Sequence, residues 1–336
     1  MEKWTIDKMK KAAKEERKGR IIYVTNLEYP DLLKDMDNFM FGIRPDLVLQ
    51  LSSYDMQGNY SPFSEDYLTE ISAMKNVKKI SLLLGSFQEF ANFNLPALNY
   101  FQIGCLPRKI TKPIDLSFLK ILKDIEFLWI QNGRYTGFEV ISNFKKLKTL
   151  LLQFITLNSL DFAANTKMDF LSIDDCRLNC DLSVLNQSNI QSLSISENHN
   201  LTDLHFIEKM SALKHLEISQ SKATGLFDFS NLTHLEKLLL KRMKSLESIA
   251  CLSFAKSLKT LYIEELNTKI KATDFQILLK FPKLESLYID YLDFGKKRIQ
   301  EVKKIFTEAG KSHILKEGLI VSVPENHPAY IERNEK

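Results

Sequence analysis

The sequence predicts an α/β solenoid: a right-handed, parallel sheet of short strands on the concave face, brief helical or 3-10 return segments behind it, and a cap at each end. Three observations carry this. One apolar spacing, L-x-x-L-x-L with any large apolar residue at L, recurs ten times along the 336 residues. Its first positions are Val77, Leu98, Ile125, Leu147, Met168, Ile190, Leu213, Leu235, Leu258 and Leu284, at intervals of 21 to 27 residues that centre near 22. The stretches between also repeat: Leu201, Leu204 and Ile207 follow Ile190 at the same offsets as Leu246, Ile249 and Leu252 follow Leu235.

The fourth and sixth positions lie two apart, so both point to one face of a strand. One such unit buries almost nothing; stacked units make a continuous core. The return leg has room for a helical turn and no more. An earlier unit fits in residues 46–51, its register ambiguous. The unit from Leu98 carries the longest insertion, with a loop at 107–113 expected to contribute contacts.

The ends read as caps. Residues 1–19 form an amphipathic helix with Trp4, Ile6, Met9, Ala12 and Ala13 on one side, stopped at Gly19. Residues 21–25 read as a strand, and 29–44 as irregular capping structure. At the far end, 296–309 read as a helix with Ile299, Val302, Ile305 and Phe306 inward and Gly310 as its stop. Residues 318–323 read as a last strand and 325–336 as a loose tail. The expected divisions are thus 1–44, 45–295 and 296–336.

The stretches 198–218 (NHNLTDLHFIEKMSALKHLEI) and 229–240 (FSNLTHLEKLLL) resemble the short, 22-residue class of leucine-rich repeats, to which phosphatase regulatory subunits and bacterial internalins belong. The resemblance covers about residues 45–295 and implies the fold, not a function. It departs at the ninth position, where the class carries an Asn that satisfies neighbouring turns. Here that column reads Gly85, Leu106, Gly133, Ile155, Cys176, Asn198, Ser221, Met243, Leu266 and Leu292, so only Asn198 fits, with Cys176 a tolerated substitute. The other turns are expected to pair their backbone differently.

Residues between the strand leucines point away from the core, onto the concave face. There Tyr100, Phe127, Trp129, Leu151, Phe154 and Phe170 are expected to form an exposed apolar patch. Asp174, Asp175, Glu197 and Glu217 form an acidic strip beside it, followed by Lys237, Lys241 and Arg242 and then by Tyr262, Tyr288 and Tyr291. Exposed rings rimmed by charge suit a protein interface, with rings as anchors and charges steering. The expected function is therefore non-catalytic binding of a protein partner on this face. The Lys/Ile/Phe/Asn-rich composition suggests a bacterial regulatory, immunity or effector-type binder.

Other classes are disfavoured by composition and motif. A net charge of +4 does not demand a polyanionic partner. The first 20 residues hold eight Lys/Arg against four Asp/Glu, which leaves a nucleic-acid contact as the alternative reading. The interrupting acids favour a solvated helix face instead, and nucleic acid is disfavoured as a partner. No stretch reaches the roughly 18 apolar residues of a membrane span, nor does the N-terminus carry a signal-peptide core; a cytoplasmic location is expected, with no membrane contact and four reduced thiols. Cys176 and Cys180, at C-x3-C spacing, lack the second ligand pair of a zinc site. No phosphate-cradling Gly-rich loop and no HExxH occurs, so no cofactor and no metal is expected. The sharpest catalytic constellation is Cys176 with His199, and a packing role for that cysteine is preferred to it. The oligomeric state is not legible.

Overall fold

Each repeat becomes a strand because its fourth and sixth residues are large and apolar while its ladder partners lie in the next repeat. A computed structural model describes residues 4–15, 21–25, 30–53, 61–84, 94–105, 113–164, 166–292 and 296–318. These fall into two compact units, one within 1–156 and the other within 157–322.

The first unit opens with α1 (Ile6–Lys14), capped by the Thr5 side chain and burying Met9, Ala12 and Ala13. Its sheet is parallel throughout, in the order β1 (Ile21–Thr25), β2 (Val48–Ser52), β3 (Lys79–Leu84), β4 (Tyr100–Cys105), β6 (Phe127–Gly133) and β8 (Thr149–Leu157). A separate ribbon pairs β5 (Ile114–Asp115) with β7 (Tyr135–Thr136). The ambiguous early unit resolves: Leu49 and Leu51 align with Ile80 and Leu82. Even β1 keeps the register, Ile22 and Val24 facing Leu49 and Leu51.

The irregular structure expected over 29–44 is instead helical. There α2 (Asp31–Met36) runs into a π-turn at Asp37–Phe41. Leu33, Met36, Met40 and Phe41 have helical spacing and are fully buried. The buried Asp37 carboxylate accepts the N–H groups of Lys75, Asn76 and Val77 at 2.9–3.0 Å, which ties this cap to the first full repeat. A further helix, α3 (Glu65–Ala73), packs Tyr67 and Ile71 inward.

In the second unit the strand order is β9 (Phe170–Asp174), β11 (Ser192–Ser196), β12 (His215–Ser219), β13 (Lys237–Lys241), β14 (Thr260–Glu264), β15 (Ser286–Tyr291) and β16 (Leu315–Lys316), all parallel. A two-residue strand, β10 (Arg177–Leu178), follows β9. Leu171, Leu193, Leu216, Leu238, Leu261 and Leu287 form one row in register, each at most 1% exposed. Return legs include the 3-10 turns Leu182–Gln187, His205–Lys209 and Ala250–Phe254 and the single turn α4 (Asp161–Ala164), while the leg between β12 and β13 is irregular. Asp181, Asp203 and Asp228 begin such legs by accepting the N–H two residues on, at 2.8–2.9 Å.

The far cap is α5 (Lys296–Glu308), with Ile299, Val302 and Phe306 buried. Its Arg298 guanidinium donates to four turn carbonyls, those of Leu266, Asn267, Ile270 and Leu292, at 2.7–3.1 Å. The strand expected at 318–323 lies, from 319 on, outside the described residues, as do the tail, the helix stop at Gly19, the loop at 107–112 and the turn positions Gly85 and Leu106. No helix among the described residues is long and apolar enough to cross a membrane.

Two devices run along the turns. The carbonyl of the second position in a repeat accepts two successive N–H groups from the next one: Lys214 and His215 donate to Gln191, and Glu236 and Lys237 to Lys214, at 2.8–3.0 Å. At the other strand end the eighth residue adopts a left-handed backbone. Asn132, Phe154, Asp175, Glu197, Arg242 and Glu265 all have φ between 45° and 53°. The N–H of Asp175, Glu197, Arg242 and Glu265 then reaches the next strand's last carbonyl at 2.7–2.9 Å.

At the ninth position Asn198 alone does what the class's Asn does, and another turn is paired in a different way. Buried Asn198 accepts from the Cys176 N–H at 3.0 Å and donates to the Ile173 carbonyl at 2.9 Å. In the following repeat Gln220 performs the same service from the eighth position. It accepts from the Asn198 N–H and donates to the carbonyls of Asn198 and Leu201, at 2.7–3.0 Å. Its own N–H reaches the Met243 sulfur at 3.4 Å. Elsewhere Ile155, Met243, Leu266 and Leu292 fill the ninth position as core.

Leu193→Ala will cost about 2–5 kcal/mol through lost burial and a cavity, whereas Ser194→Ala on the opposite face will cost under about 0.5 kcal/mol; urea titrations giving equal losses would displace the register. Glu265→Gly will leave stability unchanged or raise it by up to about 1 kcal/mol, because glycine accepts the left-handed backbone freely. Glu264→Gly, one residue earlier in the strand, will lower it by about 0.5–1 kcal/mol. The same sign for both would refute a strained turn.

Candidate interaction face of the sheet

Side chains of the third and fifth positions leave the sheet on its outward side, and in-register strands place like positions about 4.8 Å apart. Large side chains therefore cover one another. In the first unit Tyr100 stacks on Phe127, with ring centroids 4.5 Å apart and planes 15° from parallel. The Tyr100 hydroxyl lies 3.2 Å from Gln102 Oε1, and burial pushes its pKa well above the ordinary tyrosine value. Tyr100, Phe127 and Leu151 are thus buried, as is Phe170 in the second unit, and the broad exposed patch expected from the sequence is corrected. What the first unit does present is Trp129, half-buried between Gln102 and Leu151 in the ladder, and Phe154, 47% exposed. Phe154 occupies one of the left-handed turn positions, at φ 53°, a conformation costly for a bulky side chain.

In the second unit part of the acidic strip and part of the basic group are bonded to each other. Glu217 pairs with Lys241 at 2.9 Å, the two side chains 12% and 19% exposed. Glu197 lies 3.7 Å from Arg242 and accepts from Ser221 Oγ at 2.9 Å. Arg242 Nε donates to Ser219 Oγ at 3.0 Å. The Lys241 ammonium sits 5.3 Å above the Tyr262 ring, and the Tyr262 hydroxyl donates to Glu264 at 2.9 Å. Tyr262 is buried with its ring 6.1 Å from that of Tyr288. Tyr291 is 57% exposed. Asp175 is paired with His199 Nε2 at 3.1 Å, and Asp174, half-exposed, ends its strand.

Small polar residues complete this face. Ser192 Oγ lies 3.2 Å from His215 Nδ1. Burial, and secondarily Lys237, lower the His215 pKa below the usual imidazole value, so the ring is neutral at pH 7. Burial likewise lowers the Lys237 pKa. The Cys176–His199 constellation dissolves: the fully buried Cys176 thiol donates to the Asp174 carbonyl at 3.3 Å, and His199 is held on Asp175. Cys105, Cys180 and Cys251 are also unbridged, and burial raises the pKa of each. Among the described residues no three His, Cys, Asp or Glu side chains are placed to hold a metal ion.

Its parallel, in-register strands, repeating about every 22 residues, give the chain the fold of a leucine-rich repeat solenoid. No family model matches it, and no curated protein does. Among solved structures it is similar to an internalin (InlF) of Listeria monocytogenes, at 14% identity over 76% of this chain and 84% of that one, TM-score 0.40. It is also similar to the functional domain of the Listeria monocytogenes protein InlJ, at 17% identity over 72% and 67%, TM-score 0.34. A leucine-rich repeat protein of Leptospira interrogans matches at 15% identity over 92% and 86%, TM-score 0.35. The fold assignment rests on the chain's own repeat geometry.

Lys241→Met will destabilise by about 1–3 kcal/mol, since it leaves the Glu217 carboxylate buried and unpaired. Adding Glu217→Leu will recover part of that loss, because an apolar pair avoids the desolvation that an ion pair suffers. Chemical denaturation of the two singles and the double measures the coupling; strictly additive losses would mean the pair contributes nothing.

Proposed function

We propose that the chain is a non-catalytic scaffold that binds a protein partner across the outward, concave face of its sheet. The observation that carries this is Phe154. A large aromatic ring is held 47% exposed on a left-handed backbone where Asn or Gly would relieve the strain, with half-buried Trp129 on the neighbouring strand. Solvent-facing rings on rigid strands lose little freedom on binding, which is what interface anchors need. The paired charges of the second unit support the same reading: fixed by their neighbours, they offer specificity at little ordering cost. A cytoplasmic, bacterial regulatory, immunity or effector-type binder is the role we favour; the composition and the unbridged thiols support it.

The partner, recovered from native lysate, will bind Trp129→Ala and Phe154→Ala at least tenfold more weakly, about 1.4 kcal/mol each. Phe254→Ala is the control: that ring is 54% exposed but lies on a return leg, away from the strands, and its loss will leave affinity unchanged. Circular dichroism will show all three folded. Unchanged affinity in both sheet-face variants, or a loss confined to Phe254→Ala, would move the site off the sheet. Binding to nucleic acid that weakens steeply with salt would favour the N-terminal basic segment instead.

A further inference from the structure

We infer that Glu264, with Tyr288 and Tyr291 beside it near the last strands of the second unit's outward face, receives the guanidinium of an Arg side chain of the protein partner. This deepens the sheet-face reading and rests on it. A charge left over carries the inference. On this face Glu217 pairs with Lys241 and Glu197 lies against Arg242; at its rim Asp175 meets His199 and Glu265 meets Lys244. Glu264 has no such cation among the described residues. Its ladder neighbour on β13 is Lys241, but that ammonium is held on Glu217 at 2.9 Å. On its other side stands β15, whose pairing with β14 shifts between Tyr262 and Glu264. Unbroken register would set Asp290 opposite Glu264. The shift sets Tyr291 there, the kind of re-aiming that a bulge performs.

The carboxylate is both fixed and open. Tyr262 donates its hydroxyl to Glu264 Oε2 at 2.9 Å. Glu264 Oε1 accepts from no donor among the described residues and is not closed to solvent. Beside it the Tyr291 ring is 57% exposed, and the Tyr288 ring is half-buried, 6.1 Å from that of Tyr262. Ring faces carry negative potential and attract cations. This end of the sheet uses that contact once already, where Lys241 sits 5.3 Å above Tyr262. An uncompensated carboxylate selects a cation, and the rings select its shape. A planar guanidinium can lie flat on a tyrosine while its edge donates to a carboxylate, and it gives up water more readily than an ammonium. Oε1 alone suffices for it. The nearest cation on the last strand is engaged elsewhere: Lys316, opposite Tyr288, donates to the His313 carbonyl at 3.0 Å.

The test uses the whole chain and three probes: ethylguanidinium, propylammonium and the uncharged N-ethylurea. Each is titrated while the tyrosine ring signals are followed by NMR, assigned with Tyr288→Phe and Tyr291→Phe. Ethylguanidinium will give a saturable shift of the Tyr291 ring in the millimolar range, as a fragment of few atoms should. Propylammonium will bind at least about threefold more weakly, and N-ethylurea will not saturate. Glu264→Gln keeps an acceptor for Tyr262 but removes the charge, and will weaken the response at least about tenfold. Tyr291→Leu, read at the Tyr288 ring, will weaken it at least about threefold. Glu265→Gln is the control: its acid is already paired with Lys244, and the response will not change. An equal response to either other probe would overturn the inference. So would no saturation with ethylguanidinium, a response that survives Glu264→Gln in a folded protein, or an equal loss in Glu265→Gln. Unchanged affinity of Glu264→Gln for the partner recovered from lysate would overturn it as well. Those failures leave the Trp129 and Phe154 measurements standing. Unchanged partner affinity in the Trp129 and Phe154 variants, beside a loss in Glu264→Gln, would instead sink those two anchors and leave the arginine site.

Discussion

A carbonyl that accepts two successive N–H groups from the next repeat sets the geometry on which everything else depends. Lys78, Asn99 and Glu126 provide it in the first unit, and Asp169, Gln191, Lys214, Glu236 and Lys259 in the second. With two donors aimed at one acceptor, a strand can neither slide by a residue nor tilt out of line. A one-residue slip would turn the leucines outward, so the backbone and the core specify the same register. The side chains of this column reinforce it locally: Glu126 pairs with Lys148 at 2.7 Å and Glu236 with Lys259 at 2.9 Å. Such exposed pairs contribute little energy, but each favours the same alignment.

Strict register has a cost on the outward face, where identical positions lie one strand spacing apart. Rings stack on rings and vanish from the surface, as Tyr100 and Phe127 do. Opposite charges find each other, as Glu217 and Lys241 do. What stays available is whatever the stacking leaves over: Trp129 at the edge of its neighbours and Phe154 lifted by the turn. The exposed side chains of such a face are exceptions to the repeat.

The repeat itself was legible because burial imposes it on every unit; the row from Leu171 to Leu287 follows directly from the spacing. Helices α1 and α5 were legible for the same reason, as apolar residues at helical intervals. Residues 29–44 carry that signal too, in Leu33, Met36, Met40 and Phe41, but within a stretch too short to stand out. The site was less legible. A strand pattern tells which way a side chain leaves the sheet, not whether the next strand covers it, so the exposure of Tyr100, Phe127 and Leu151 was misjudged. The pairing of Glu197 with Arg242 skips an entire repeat, a reach that long side chains have and column-by-column reading ignores. Gln220 escaped notice because it stands one place before the column where its function belongs, and its extra methylene makes up the difference.

The chain of bonds from Cys176 through Asn198 and Gln220 to Met243 divides the repeats into two kinds. Repeats whose turns close on aliphatic residues ask of a neighbour only an apolar surface of the right size. Within such a run one repeat can stand in for another, except where Arg298 ties the turns at Leu266 and Leu292 to α5. The repeats that begin at Met168, Ile190 and Leu213 are not interchangeable in this way. Asn198 needs the turn before it, and Gln220 needs Asn198, so removing one of the three strands polar groups in another. A change in the length of the array inside this block would leave buried polar groups without partners, so the block behaves as one structural unit.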